Sequence, residues 1–312
     1  MAPLPEPLFT VFTASYNRAH TLPRVYKSLQ AQTLRDFEWL IVDDGSTDGS
    51  EELVAGWTAE ADFPIRYLRQ DHGGKHKAAN LGAREARGEL FLPLDSDDEC
   101  RPEALERFAA HWKGIPDDRR PGFSAVTALC DDQHGEIVGS RFPHDPTDSD
   151  ALEIRYRYGV TGEKWGFQTT AVRREFPFPE VDGQPNVPDA IVWNRISRHY
   201  RTRFVNEVLR TYHVDGDDSI TQKSRAAAIW RAPAFALRWK ITLNEELGWF
   251  RYDPRGFVRA AANYARFSWD DGRGFREQGR ALTSPQAKLL HAAAAPLGYV
   301  LHRRDRQAAE SA

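Results

Sequence analysis

Several short polar clusters in this chain combine residue types that chemistry uses. Leu94-Asp95-Ser96-Asp97-Asp98-Glu99 directly follows an apolar run. Two carboxylates one residue apart at a strand end can divide their work between a ribose hydroxyl and a hard divalent cation. Such a cation bridges a diphosphate and neutralises the charge that develops as it leaves. The bland alternative is a solvated acidic turn that caps the next helix. Asp43-Asp44-Gly45-Ser46 is a second acidic strand end. It suits the N–H of a nucleobase or a ribose hydroxyl, or else a plain Asx turn. Thr13-Ala14-Ser15-Tyr16-Asn17-Arg18 offers backbone and Tyr16 to a base pocket and Arg18 to phosphate. It lacks the glycines of a P-loop or a GxGxxG turn, which disfavours dinucleotide oxidoreductase chemistry. His72-Gly73-Gly74-Lys75-His76-Lys77 places glycines and lysines before a helix start, a setting for a diphosphate or for a solvated basic loop. Asp189, in Pro188-Asp189-Ala190, has the chemistry of a general base and equally that of a first-turn helix residue. His213, in Tyr212-His213-Val214-Asp215, could complete a metal site or belong to a polar loop.

These clusters need a frame. Apolar runs at 8–14, 39–42, 65–68 and 90–94 predict strands. Between them, helical spacing predicts helices over 21–30, capped by Thr21, and over 75–86. A capping signal at 48–51 opens another, and Pro102 opens one that carries Leu105, Phe108 and Trp112. The alternation predicts an α/β protein with a doubly wound, mainly parallel central sheet flanked by helices. Ligands of such sheets sit beyond the carboxyl ends of the strands, so the clusters after strands one, two and four should share one crevice. Past residue 122 the pattern loosens. Strands are expected at 123–129, 167–172 and near Phe204-Val205, a loop over 131–150, and a helix over 188–200. The end of the chain should be helical over 225–247, 257–268 and 285–302, with the last ten residues frayed.

Composition narrows the classes. The 312 residues are 41% hydrophobic and 28% charged, as in a soluble globular protein. With 42 basic and 45 acidic side chains, the net charge of −3 argues against a nucleic-acid partner. Two cysteines cannot build a disulfide framework and fit a reducing, cytoplasmic setting. The first residues lack the basic stretch and apolar core of a signal peptide. No apolar run reaches the roughly 18 residues of a membrane span. Near the C-terminus, Leu289, Leu290, Leu297, Val300 and Leu301 lie beside Lys288, Arg303, Arg304 and Arg306. Such a helix suits peripheral contact with an anionic membrane surface, packing on the rest of the chain, or a dimer contact.

In their order, T-A-S-Y-N-R, V-D-D-G-S-T-D, G-G-K-H-K-A-A-N-L-G-A-R-E-A-R-G-E and L-D-S-D-D-E resemble the family 2 glycosyltransferases over about Phe9 to Trp112. A looser likeness continues through E-K-W-G-F, F-P-F-P-E, P-D-A-I-V-W-N-R-I and V-D-G-D-D-S-I. These are inverting enzymes of the GT-A fold that use nucleotide-activated sugars, and the tail resembles bacterial members that build polysaccharide or other glycoconjugates. The resemblance implies a nucleotide-sugar-binding half over 1–122, an acceptor-binding half over 123–224 and a helical C-terminal region over 225–312. It implies that Thr13, Ala14, Ser15, Asn17, Asp43 and Asp44 hold the nucleoside. Lys75 would lie near the base or phosphates, and Asp95 and Ser96 near the ribose. Asp97 would bind Mn²⁺ or Mg²⁺, with His213 as a further ligand. Asp189 maps to the family's base carboxylate, where relatives often carry Glu. Glu180 is the reserve base on the acceptor side, where Trp165 and Phe167 would stack on the acceptor's apolar face or, as is commoner for aromatics at such spacing, belong to the core. The implied function is single-displacement transfer from a nucleotide sugar, UDP-sugar first, to a glycan, lipid-linked or small-molecule acceptor. The rivals are a nucleotide-sugar-binding module without catalysis and a sugar-phosphate nucleotidylyltransferase.

Overall fold

β1 (Phe9–Ser15) and β2 (Phe37–Asp43) are buried almost throughout, as parallel strands covered on both faces must be. Between them, α1 (Leu22–Gln30) buries Leu22, Val25, Tyr26 and Leu29, one stripe at helical spacing. Then follow α2 (Ser50–Glu60), β3 (Ile65–Arg69), α3 (Lys75–Glu85) and β4 (Leu90–Pro93). β1 pairs in parallel with β2 and β4, and β2 with β3. The chain continues through β5 (Glu99–Cys100), α4 (Ala104–Lys113), β6 (Phe123–Asp132), β7 (Thr147–Ser149), α5 (Ala151–Tyr156), β8 (Lys164–Thr169), α6 (Thr170–Glu175), α7 (Ala190–Ile196) and β9 (Arg201–Tyr212). The sheet has nine strands in the order β3-β2-β1-β4-β8-β6-β9-β5, with β7 also on β9. β8 is antiparallel to β4 and β6, whereas β6 and β9 are parallel. This is the GT-A type of α/β architecture. The computed structural model describes residues 6–181, 183–184, 186–213 and 232–310.

Contacts divide the chain into two units, Met1–Phe178 with Val192–Gly216, and Pro179–Ile191 with Asp217–Ala312. In the first, Tyr26 stacks on Trp57 with ring centroids 4.5 Å apart, beside Trp39 and Phe63. Elsewhere in that unit, Phe12 stacks on Phe91 at 5.0 Å. The second unit holds α8 (Ala232–Glu245), α9 (Pro254–Asp270), α10 (Phe275–Arg280) and α11 (Pro285–Glu310). Its core gathers Leu243, Ala260, Ala261, Tyr264, Leu282, Ala287 and Ala294. Among the described residues, no helix is long and apolar enough to cross a membrane.

One glycine sets the spacing of the central strands. The Gly88 N–H donates to Thr10 Oγ1 at 2.8 Å. A Cβ at Gly88 would lie 2.4 Å from Thr10 N and 2.5 Å from Phe9 C. Backbone cannot swing aside as a side chain can. Gly88→Ala should therefore cost about 1–3 kcal/mol, read as a lower urea midpoint; an unchanged midpoint would contradict the close approach.

Several local expectations are corrected. Thr21 precedes α1 without a side-chain capping bond; its hydroxyl turns to the Arg18 carbonyl at 3.4 Å. The residue before α2 is Gly49, and Asp48 accepts instead from Ser50 Oγ at 2.6 Å and Ala19 N at 2.8 Å. The strand expected at 167–172 ends at Thr169, where Thr170 turns the chain by bonding Gly88 O and Glu89 O. Residues 147–149 leave the expected loop to pair with β9. α11 runs to Glu310, so the tail is not frayed there. His302 meets Asp270 at 2.6 Å and Arg266 meets Asp305 at 2.5 Å, and these pairs tie its last turns to α9. Residues 214–218 and the start of the helix expected from 225 lie outside the described residues.

Candidate active site

The parallel register aligns the strand ends. Ser15 stands opposite Asp43, and Asp43 opposite Arg69. Leu94 N bonds Phe12 O at 2.8 Å, which carries Asp95 and its neighbours to the same edge. The clusters after strands one, two and four thus converge where an open α/β sheet places ligands.

Loop chemistry shapes the floor of this edge. Asp43 is fully buried. Its Oδ1 accepts from Gly45 N at 2.8 Å and Ser46 N at 2.6 Å, and its Oδ2 from the Tyr67 hydroxyl at 2.6 Å. The Asx-turn alternative therefore describes Asp43, and its assignment as a direct nucleoside ligand is corrected. Burial and the bond to Asp43 push the Tyr67 phenol above its usual range. Thr13 is also turned inward, where its hydroxyl accepts from Trp39 Nε1 at 3.0 Å. Its side chain is not available to a ligand.

Asp44 organises the glycine loop. It accepts from Gly73 N at 2.9 Å, Gly74 N at 2.8 Å and Gln70 Nε2 at 2.6 Å, with His72 Nδ1 at 2.9 Å. Gly74, at φ 99°, precedes α3 in a conformation that a Cβ disfavours. Asn17 sits at φ 53°, a region Asn tolerates, and its Oδ1 accepts from Thr47 N at 2.8 Å. Ala14 is partly exposed. Ser15 is buried, and among the described residues its Oγ has no hydrogen-bond partner. Tyr16 is 46% exposed and stacks on His72 with centroids 4.2 Å apart. That pair forms an aromatic platform from the loops after β1 and β3.

The acidic turn after β4 carries the charge. Lys75 Nζ lies 2.6 Å from Asp95 Oδ1. Burial alone would raise the Asp95 carboxyl, but Lys75 and Arg210 hold it below the usual carboxylate range. Asp98 is fully buried, and that burial pushes it up to about 7, against the pull of Arg210. Arg24, which sequence reasoning missed, donates from NH1 to the Asp97 carbonyl at 2.5 Å. Among the described residues, no hydrogen bond or ion pair engages the partly exposed Asp97 carboxylate. Ser96 is buried beside it. Cys100, next along, is buried and its thiol is pushed up to about 12, so it is no nucleophile.

Among the described residues, no group of three His, Cys, Asp or Glu side chains could hold a metal. Asp97 instead presents one open carboxylate. Magnesium-like ions use this pattern, with one or two carboxylates and the phosphates of the ligand completing the shell. His213 lies against the residues that follow Asp97, with Nε2 3.0 Å from Glu99 Oε1 and its backbone N–H donating to Asp98 Oδ1 at 3.0 Å.

The acceptor residues divide. Phe167 is fully buried, edge-on to Phe9, Phe108 and Trp112, and has no face to offer a sugar. Trp165 is buried too, and its Nε1 donates to Pro93 O at 2.6 Å. Both belong to the core, the alternative the spacing also allowed, and not to an acceptor surface. Asp189 is exposed directly before α7, and Glu180 is exposed in the same segment, which groups with the helical unit.

Comparison with known proteins agrees with this fold. The model of "Glycosyl transferase family 2" matches residues 10–178, a little over half the chain. The chain is 20% identical to S. aureus TarS, covering 96% of this chain and 55% of TarS, with a TM-score of 0.61. TarS 1–349 in complex with UDP-GlcNAc gives 19% identity and a TM-score of 0.60, covering 96% and 92% of the two chains. The mannosyltransferase PcManGT from Pyrobaculum calidifontis, with GDP-Man and Mn²⁺, gives 20% identity and a TM-score of 0.54 over 98% and 84%. These likenesses define the fold class. The chain belongs to glycosyl transferase family 2. Among curated proteins, it is 33% identical over 178 residues to the undecaprenyl-phosphate 4-deoxy-4-formamido-L-arabinose transferase of Pseudomonas aeruginosa, covering 56% of this chain and 49% of that protein. It is 39% identical over 98 residues to an uncharacterised glycosyltransferase of Nostoc, covering 31% and 30%. The chain thus spans about half or less of the length of these curated relatives.

Proposed function

We propose that this chain transfers a sugar from a nucleoside-diphosphate donor, UDP-sugar first, to an acceptor hydroxyl or lipid-linked group, with inversion at the anomeric carbon. One observation carries the reading. An open Asp97 carboxylate stands on the same strand edge as the Lys75–Asp95 pair and the Tyr16–His72 platform. The platform takes the base by stacking. Ser15 Oγ and the loop held by Asp44 line the nucleoside. Lys75, at the start of α3, meets the diphosphate, where both its charge and the helix N-terminus favour an anion. Asp97 would hold Mn²⁺ or Mg²⁺, which would supply charge stabilisation for the leaving diphosphate. Asp189 takes the proton from the acceptor hydroxyl, whose oxygen attacks the anomeric carbon as the bond to the diphosphate breaks. A single displacement of this kind forms no glycosyl-enzyme.

A thermal-shift panel of nucleotide sugars, with and without Mn²⁺, tests the donor reading. One or more should raise the melting midpoint, and more so with Mn²⁺. No shift with any donor would contradict it.

The acceptor reading is a lipid-linked substrate met at the cytoplasmic face of a membrane. From Ala232 to Glu310 there are 13 Lys and Arg against 8 Asp and Glu. On α11, Leu289 is 74% exposed, and Leu297 and Val300 follow on the same face with the exposed Arg303 and Arg304 beyond. An apolar stripe with arginines at one end suits an anionic bilayer. Replacing Leu289, Leu297 and Val300 together by Glu should abolish co-sedimentation with anionic liposomes. Equal sedimentation of variant and wild type would end the membrane assignment.

A further inference from the structure

Arg210, on β9, is a buried cation that the proposed reaction does not yet use. Its side chain is 3% exposed, and its guanidinium stays charged in any protein setting. NH1 lies 3.4 Å from Asp98 Oδ2 and 3.7 Å from Asp95 Oδ2, and NH2 lies 2.9 Å from Glu163 Oε1. The two aspartates differ in what they demand. Asp98 is fully buried, so its contact with Arg210 at 3.4 Å is closed to solvent. Asp95 is 34% exposed and lies between two cations, with Arg210 toward one oxygen and Lys75 on the other at 2.6 Å.

Those two cations are not equivalent. Arg210 is locked inside the fold. Lys75 is 38% exposed on a flexible stem at the start of α3, where a diphosphate would arrive. The phosphates carry more negative charge than one carboxylate and would draw the Lys75 ammonium toward them. Asp95 would then lose its closest counter-charge at the moment the neighbouring Asp97 engages the cation.

We propose that Arg210 is a positioning residue that holds Asp95, and with it the Asp95-Ser96-Asp97 turn, while Lys75 passes from Asp95 to the donor diphosphate. The inference rests on the nucleotide-sugar reading of the site. Lysine cannot replace arginine here, because it lacks the planar fork that reaches Glu163 and the aspartates together.

The test is a double-mutant cycle on the full chain, read as the affinity for UDP with Mn²⁺ by calorimetry, with GDP as a second probe. Arg210→Lys should weaken nucleotide binding by tenfold or more in the wild-type background. In a Lys75→Met background nothing is handed over, so the same change should cost less than threefold. A merely structural role would give the same loss in both backgrounds, and that result, or no loss at all, would overturn the proposal. If Arg210→Lys does not fold, Arg210→Gln with Asp98→Asn, measured against Asp98→Asn alone, removes the buried pair as neutral groups and enters the same cycle. If the wild type binds neither nucleotide, the donor reading itself fails and takes this inference with it. If it binds and the cycle shows no coupling, only the role of Arg210 fails.

Discussion

Asp189→Asn should lower sugar transfer by about 10²–10⁴-fold, the usual worth of a positioned general base. The amide keeps the size and most of the polarity of the carboxylate but cannot take a proton. Asp189 is exposed directly before α7, so the change buries no unsatisfied group. The affinity for UDP with Mn²⁺ should stay within about twofold of wild type, because Asp189 is not among the residues assigned to the nucleotide. The combination separates a base from a binding residue. Near-wild-type turnover would remove Asp189 from the role, and the same variant at Glu180 would then be the next to measure.

Asp97→Asn should act on the donor side instead. A bound cation is worth several kcal/mol to a leaving diphosphate, so its loss corresponds to roughly 10³-fold in rate. Chelation with EDTA should stop transfer by the wild type, and Mn²⁺ or Mg²⁺ should restore it. The substituted side chain would leave an amide oxygen where a full charge had been, so excess metal should recover only part of the lost activity. The backbone of this turn is held by Arg24 on the Asp97 carbonyl, a bond the substitution does not touch. A loss of activity with normal stability is therefore the expected signature. Full activity after chelation would contradict the role given to Asp97.

Much of the sheet was legible because its strands are apolar runs that stop abruptly at Ser15, Asp43 and Asp95. Strand ends that stop in this way reveal the ligand edge once the strands are parallel. What residue types alone do not distinguish is direction. Asp43 and Asp97 are both aspartates after apolar strands, yet one closes its own turn around Gly45 and Ser46 and the other opens outward. Aromatic spacing was equally silent about side. Phe167 packs edge-on into the core, where its area is worth more than on a sugar. β5 and β7 escaped notice because strands of two and three residues carry no periodicity; partners on β9 define them. Arg210 escaped for a different reason. It lies more than a hundred residues beyond the aspartates it serves, on a strand whose pairing with β5 brings it there. The length of α11 followed from the Arg266–Asp305 and His302–Asp270 contacts with α9, which no local propensity announces.

Manganese binding, followed by the electron paramagnetic resonance of the free aqueous ion, puts the donor centre to the sharpest trial. With an open carboxylate at Asp97 and, among the described residues, no group of three ligating side chains, the full chain should leave most of the Mn²⁺ signal untouched until UDP is added, and then quench it; Asp97→Asn should not quench it under the same conditions. A signal indifferent to UDP and GDP, or the same quenching in wild type and Asp97→Asn, would contradict the account.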